Sequence, residues 1–161
     1  MHPCQPLATL LLTNNFKLAT AESCTGGMIA AACTDLAGSS DWFECGFVSY
    51  SNQAKTEMLG VDARLITAHG AVSEPVARAM AQGVFNHSEA QVSVAVTGVA
   101  GPGGGSADKP VGTVWFAWGL PSGIFSEVQH FEGDRTAVRA ATVQHALARL
   151  VTLLQDPKVS L

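Results

Sequence analysis

Three segments hold the residue types from which an acyl-transfer site is built. They are Ser23 within Glu22-Ser23-Cys24-Thr25-Gly26-Gly27, Lys55 just after Tyr50-Ser51-Asn52, and the run Thr97-Gly98-Val99-Ala100-Gly101-Pro102-Gly103-Gly104-Gly105. A serine hydroxyl is a poor nucleophile until a base takes its proton. A lysine buried beside a pocket can act as that base, because burial disfavours the ammonium form and lowers the pKa. Ser23 precedes two glycines at a predicted helix start, where unpaired backbone N–H groups and the positive dipole end can stabilise an oxyanion. The same positions have plainer readings. Serine is a favoured helix N-cap, Thr25 can cap as well, and Lys55 fits a solvated helix face.

Other chemistries leave no signature. No G-x-S-x-G elbow is present, and neither S-x-x-K nor Y-x-x-x-K occurs around Lys55. His2, His69, His87, His130 and His145 are scattered without H-E-x-x-H, so no metal site is expected. Cys4, Cys24, Cys33 and Cys45 match neither a C-x-x-C redox motif nor a zinc knuckle and read as free thiols in a reducing compartment. The run from Thr97 to Gly105 has the small residues that let backbone N–H groups approach an anion, yet it fits neither G-x-G-x-x-G nor G-x-x-x-x-G-K-[ST]. A structural turn is the competing account. Arg135 and Arg139, one helical turn apart, could grip a phosphate in a fork, although Arg135 could equally pair with a surface glutamate.

These residues need elements to position them. Leu7 to Asn14 reads as an amphipathic helix, Lys17 to Ala21 as a strand entering the Ser23 turn, and Met28 to Leu36 as a buried helix stopped by Gly38. Trp42 to Tyr50 reads as a strand, and Ser51-Asn52 caps a helix through Lys55 to Leu59. Val72-Ser73-Glu74-Pro75 signals a cap and a first helical turn, followed by a surface helix with Val76, Ala79, Met80 and Val84 on one stripe. Val92 to Val96 reads as a central strand running into the glycine loop. Val111 to Trp118 and Ile124 to Phe131 form a hairpin across Gly119 to Gly123, and Gly133-Asp134 opens a last helix reaching about Leu154. Strands alternating with helices predict an α/β sheet covered on both faces, and the late hairpin makes it mixed. In such sheets ligands sit beyond the carboxyl ends of the strands, so the three loops are expected to share one pocket.

Composition narrows the partners. The chain has 161 residues, 47% of them hydrophobic and only 14% charged, which suits one globular domain over 1–161 with a core from about 7 to 154. Nine Lys and Arg against thirteen Asp and Glu give a net charge of −4, with no basic stripe for a nucleic-acid backbone. No apolar stretch approaches the roughly 20 residues that cross a bilayer, and the first residues lack a secretory signal. The cytoplasm is the expected location.

The ordered set Ala21-Glu22-Ser23-Cys24-Thr25-Gly26-Gly27, Tyr50-Ser51-Asn52 with Lys55, Gly70-Ala71-Val72-Ser73, Thr97 to Pro102 and Pro110-Val111-Gly112-Thr113-Val114 resembles the CinA C-terminal domain family. The resemblance covers roughly Leu7 to Leu154. It implies a three-layer α/β/α sandwich, a homodimer, and an amidohydrolase that deamidates nicotinamide mononucleotide to nicotinate mononucleotide and ammonia without a cofactor. Carried over by position, it makes Ser23 the nucleophile and Lys55 the general base. It draws Tyr50, Thr97 and Arg139 into the substrate pocket, and Gly26, Gly27, Gly98 and Gly101 are expected to bind the substrate through their loop amides. It also admits a non-catalytic alternative, a nucleotide-binding or competence-associated partner module.

Overall fold

Alternation of large and small residues along the strands decides how the layers pack. In the computed structural model, which describes residues 1–160, five strands form one sheet: β1 (Leu18–Glu22), β2 (Phe43–Val48), β3 (Val92–Gly98), β4 (Thr113–Leu120) and β5 (Gly123–His130). Their spatial order is β2-β1-β3-β4-β5. Leu18, Val92, Val94, Val96, Val114, Phe116 and Trp118 point to one face, where α1 (Gln5–Thr13), α2 (Met28–Thr34) and α6 (Arg135–Gln155) cover them. Ala19, Ala21, Ala95 and Ala117 point to the other, against α3 (Asn52–Leu59), α4 (Ala63–His69) and α5 (Glu74–Asn86). Period-two alternation thus presents bulky β-branched and aromatic residues to one helical layer and alanines to the second. A short α7 (Pro157–Ser160) follows α6.

The registers bring the strand ends into line. β1 pairs in parallel with β2 and with β3, so Glu22 lies level with Val48 on one side and Val96 on the other. The chain leaves β1 toward β2 and returns through α3, α4 and α5 to β3 on the opposite side of β1. The strand order therefore switches at β1, the position where an open α/β sheet makes a crevice. β3 pairs antiparallel with β4, and β4 with β5, as the hairpin pattern predicts.

Several local expectations change. The hairpin loop is only Pro121-Ser122, because Leu120 and Gly123 still pair. The helix at Ala63–His69 has no long apolar stripe to announce it, and it is held by the Asp62 side chain accepting from the Arg64 N–H. Helix α5 is not a surface helix: Val76, Ala77, Met80, Ala81 and Val84 are buried on the sheet. Ser73 precedes α5, but its hydroxyl donates to the Gly70 carbonyl at 2.8 Å instead of capping the helix.

Candidate active site

The expected helix-start arrangement is filled from within. Neither Ser23 nor Thr25 caps α2; the N-cap is Gly27, with no side-chain cap bond. Glu22, the last residue of β1 and only 1% exposed, turns its carboxylate onto the start of α2. It accepts from the Ile29 and Ala30 N–H groups at 2.8 and 3.0 Å and from the Thr25 hydroxyl at 2.5 Å. A buried carboxylate is tolerable because it is multiply hydrogen-bonded and meets the positive end of the helix. These bonds occupy the donors that an oxyanion or phosphate would need there, which corrects the expectation that this helix start receives an anion. Gly26, at φ +60°, permits the tight turn before α2, and neither it nor Gly27 lines the cavity beside Ser23.

With capping supplied by Glu22, the Ser23 hydroxyl is left for other partners. It donates to the Tyr50 carbonyl at 3.3 Å, and Lys55 Nζ sits 3.1 Å from Ser23 Oγ. Lys55 also donates to the Tyr50 carbonyl at 2.9 Å. Ser51 accepts from the Ala54 N–H, so α3 starts where the sequence predicts and carries Lys55 in its first turn, facing inward. Lys55 is 1% exposed, and no carboxylate forms an ion pair with it among the described residues. Burial therefore pushes its pKa down from the ordinary lysine value, opposed by the neighbouring Cys24. The Cys24 thiol is itself pushed up to about 11, chiefly by burial, and stays protonated at neutral pH.

A cavity of about 320 Å³ opens over this pair, lined from the turns after β1 and β2, from α3, from the end of β3 with the glycine loop, and from α6. Tyr50, Thr97, Gly98 and Gly101 line it, as do Asn52 and Arg135. Thr97 donates its hydroxyl to the Ala71 carbonyl at 2.9 Å, which ties β3 to the segment before α5. A Cβ on Gly98 would lie 2.7 Å from Val114 Cγ2 and 3.2 Å from Cys24 Sγ, so only glycine fits where β3 passes the Ser23 turn.

The two arginines divide differently from the expectation. Arg139 does not line the cavity; it donates to the carbonyls of Cys24 and Thr25 at 3.1 and 3.3 Å, behind the turn. Arg135 reaches the mouth, donating to the Gly101 carbonyl at 2.8 Å and to the Tyr50 hydroxyl at 3.3 Å. Both lie near the start of α6, and only the tertiary path of the glycine loop decides which faces the opening. Glu22 and Asn52 were absent from the candidates. A carboxylate closing an apolar strand seven residues before Ile29 was the available signal for Glu22. No cluster of His, Cys, Asp and Glu suited to a metal ion occurs among the described residues.

The CinA C-terminal domain family model matches residues 4–154. The chain is 54% identical to a nicotinamide-nucleotide amidohydrolase PncC of Pseudomonas putida over 157 residues, covering 95% of this chain and 98% of that protein. It is 51% identical to a putative competence-damage inducible protein of Symbiobacterium thermophilum, covering 89% of this chain but only 36% of that longer protein. Among solved structures, a competence-damaged protein (CinA) superfamily protein from Escherichia coli superposes with TM-score 0.91 at 40% identity, over 94% of this chain and 88% of that one. A competence/damage inducible protein from Agrobacterium tumefaciens gives 0.91 at 44% identity, over 96% and 94%. The three-layer sandwich and the serine–lysine cavity thus occur on a sequence matched nearly end to end, and the chain belongs to the CinA C-terminal domain family.

Proposed function

We propose that this chain hydrolyses the carboxamide of nicotinamide mononucleotide, releasing nicotinate mononucleotide and ammonia, with Ser23 as nucleophile and Lys55 as general base. The observation that carries the reading is the 3.1 Å approach of Lys55 Nζ to Ser23 Oγ in a buried setting without a counter-carboxylate. In its neutral form, which burial favours, the amine accepts the serine proton as the hydroxyl turns from the Tyr50 carbonyl toward Nζ. Oγ adds to the carboxamide carbon, the ammonium returns its proton to the departing nitrogen, and ammonia leaves an acyl-serine. Water, deprotonated by the same amine, adds to the acyl carbon; the C–Oγ bond breaks, Oγ takes the proton back from the ammonium, and the carboxylate product leaves. Because Glu22 occupies the first amides of α2, the oxyanion and phosphate fall to the other loop donors and to the Arg135 guanidinium. Tyr50, 56% exposed at the mouth, offers its ring to the pyridine or ribose. Arg139 holds the Ser23 turn by its two carbonyl contacts.

The reading is tested by ammonia release from nicotinamide mononucleotide. The wild-type chain is expected to turn it over and to leave free nicotinamide, which lacks the phosphate, largely untouched. Ser23→Ala is expected to abolish turnover with an unchanged circular dichroism spectrum. A folded wild-type chain that binds the nucleotide without releasing ammonia would favour a non-catalytic module. We extend the proposal to place of the reaction in pyridine nucleotide salvage and to a homodimer. The open edge of β2, where Val48 is exposed, is available for self-association, and light scattering measures the mass directly.

A further inference from the structure

Most polar side chains around the Ser23–Lys55 cavity are committed to protein partners. Thr97 donates to the Ala71 carbonyl, Arg135 donates to the Gly101 carbonyl, and the Tyr50 hydroxyl accepts from Arg135. Asn52 differs. It lines the same cavity, and its side-chain amide has no hydrogen-bond partner among the described residues. Its neighbours leave it free: Ser51 caps the helix by accepting from the Ala54 N–H, and the Thr56 hydroxyl donates to the Asn52 backbone carbonyl, not to its side chain.

Helix geometry sets this free amide beside the reacting centre. Asn52 opens α3 and Lys55 follows three residues later, so both lie on one helix face. Side chains on a helix lean toward its N-terminus, which carries the Lys55 stem over the turn that Asn52 begins. Lys55 Nζ, 3.1 Å from Ser23 Oγ, marks where the leaving nitrogen of an amide would receive its proton. A primary carboxamide brings N–H donors to that point, and they need an acceptor. Among the described residues no Asp or Glu lines the cavity, and Asn52 Oδ1 is the one side-chain carbonyl oxygen in its wall. A carboxylate there would pair with Lys55 and favour its ammonium form, whereas an amide oxygen accepts the same hydrogen bond without a charge.

We propose that Asn52 selects the primary carboxamide of the substrate, its Oδ1 accepting a hydrogen bond from the nitrogen that leaves as ammonia. This role rests on the Ser23–Lys55 reading and names the group that recognises the reacting end of the substrate. An asparagine presents Oδ1 to a carboxamide N–H and, turned over, Nδ2 to a carboxylate, so substrate and acid product both find a partner. Asn52→Asp leaves a group that only accepts. It keeps the contact to the amide and repels the product carboxylate.

Calorimetry on the full chain carrying Ser23→Ala, which turns over neither nucleotide, measures both affinities directly. Adding Asn52→Ala is expected to weaken nicotinamide mononucleotide roughly 3–10-fold, the usual effect of one lost hydrogen bond. Adding Asn52→Asp instead is expected to weaken nicotinate mononucleotide at least about 10-fold more than the amide, because only the acid sets a further charge against the new one. Were position 52 to face the phosphate, which both nucleotides carry, the two would weaken alike. Equal weakening, or an Asn52→Ala change below about 2-fold, overturns the role of Asn52 and leaves the Ser23–Lys55 reading standing. Absence of binding of either nucleotide to the Ser23→Ala chain itself overturns both. Each variant keeps the Ser51 cap, and an acidic group in the first turn of α3 meets the positive helix end, so the fold is expected to hold. Where Asn52→Asp does not fold, the Asn52→Ala measurement decides.

Discussion

Lys55 holds its amine in a buried setting with no carboxylate paired to it among the described residues. Its ammonium form is disfavoured by burial, so the folded chain releases a proton that the unfolded chain keeps. Stability then rises with pH from the depressed folded pKa up to the ordinary lysine value, since the unfolded state binds more protons across that window. Lys55→Met is expected to flatten that slope in urea titrations at several pH values. Under the proposed mechanism it also lowers ammonia release by about 10²–10⁴-fold, the usual contribution of a positioned base. For wild type, kcat/KM should rise with pH on a limb below the ordinary lysine range, and a profile lacking that limb would remove Lys55 as the base. Under the same mechanism, Arg135→Ala loses one charged contact to a phosphate worth about 1.5–3 kcal/mol and should raise KM roughly 10–100-fold with kcat nearly unchanged. Steady-state kinetics separates the two parameters.

At the scale of elements, the turn from β1 into α2 depends on one carboxylate. Glu22→Ala would strand the Ile29 and Ala30 N–H groups and the Thr25 hydroxyl in a buried setting. At about 1–3 kcal/mol for each unsatisfied group, a loss of about 3 kcal/mol or more is expected in the unfolding free energy. Glu22→Gln keeps one acceptor oxygen and should lose less. The crossing of β3 past that turn depends on Gly98. Gly98→Ala sets a methyl 2.7 Å from Val114 Cγ2 and 3.0 Å from the Thr113 carbonyl, so overpacking of about 1–3 kcal/mol is expected from chemical denaturation. Both changes act on the same turn from opposite sides, so their effects are not expected to add.

Across the whole molecule, the sheet presents bulky residues to α1, α2 and α6, and that half carries the aromatic packing. Phe116 and Trp118 stack with ring centroids 5.4 Å apart, and Trp118 Nε1 donates to the Ala146 carbonyl at 3.0 Å. Phe116, Trp118 and Phe131 surround the His145 ring, which meets Glu127 on β5, and Arg149 Nε lies 3.4 Å from the same carboxylate. Against the opposing effect of burial, hydrogen bonds from Gln129 and His145 hold Glu127 below the usual carboxylate range. Its contribution is present above the unfolded glutamate pKa and is lost as pH falls through the lower folded value. Phe116→Ala removes the centre of this cluster and is expected to cost about 3–5 kcal/mol, read from the urea midpoint.

The order of strands and helices, the mixed sheet and the neighbourhood of Ser23, Lys55 and the glycine loop were legible in the chain itself. Hydrophobic period, capping residues and glycine turns are local signals, and parallel strands of an α/β sheet must deliver their following loops to one edge. Contacts between segments distant in sequence escaped that reading. Arg135 and Arg139 are equivalent by spacing, and only the packing of α6 on the Ser23 turn sends one to backbone carbonyls and the other to the mouth. Glu22, read as part of the Ser23 turn, has its partners close by in sequence at Thr25, Ile29 and Ala30, but the turn that aims its carboxylate at them takes shape only when β1 and α2 dock. Local propensity selected the elements; which polar groups would be buried, and therefore which had to find partners, was decided by tertiary packing.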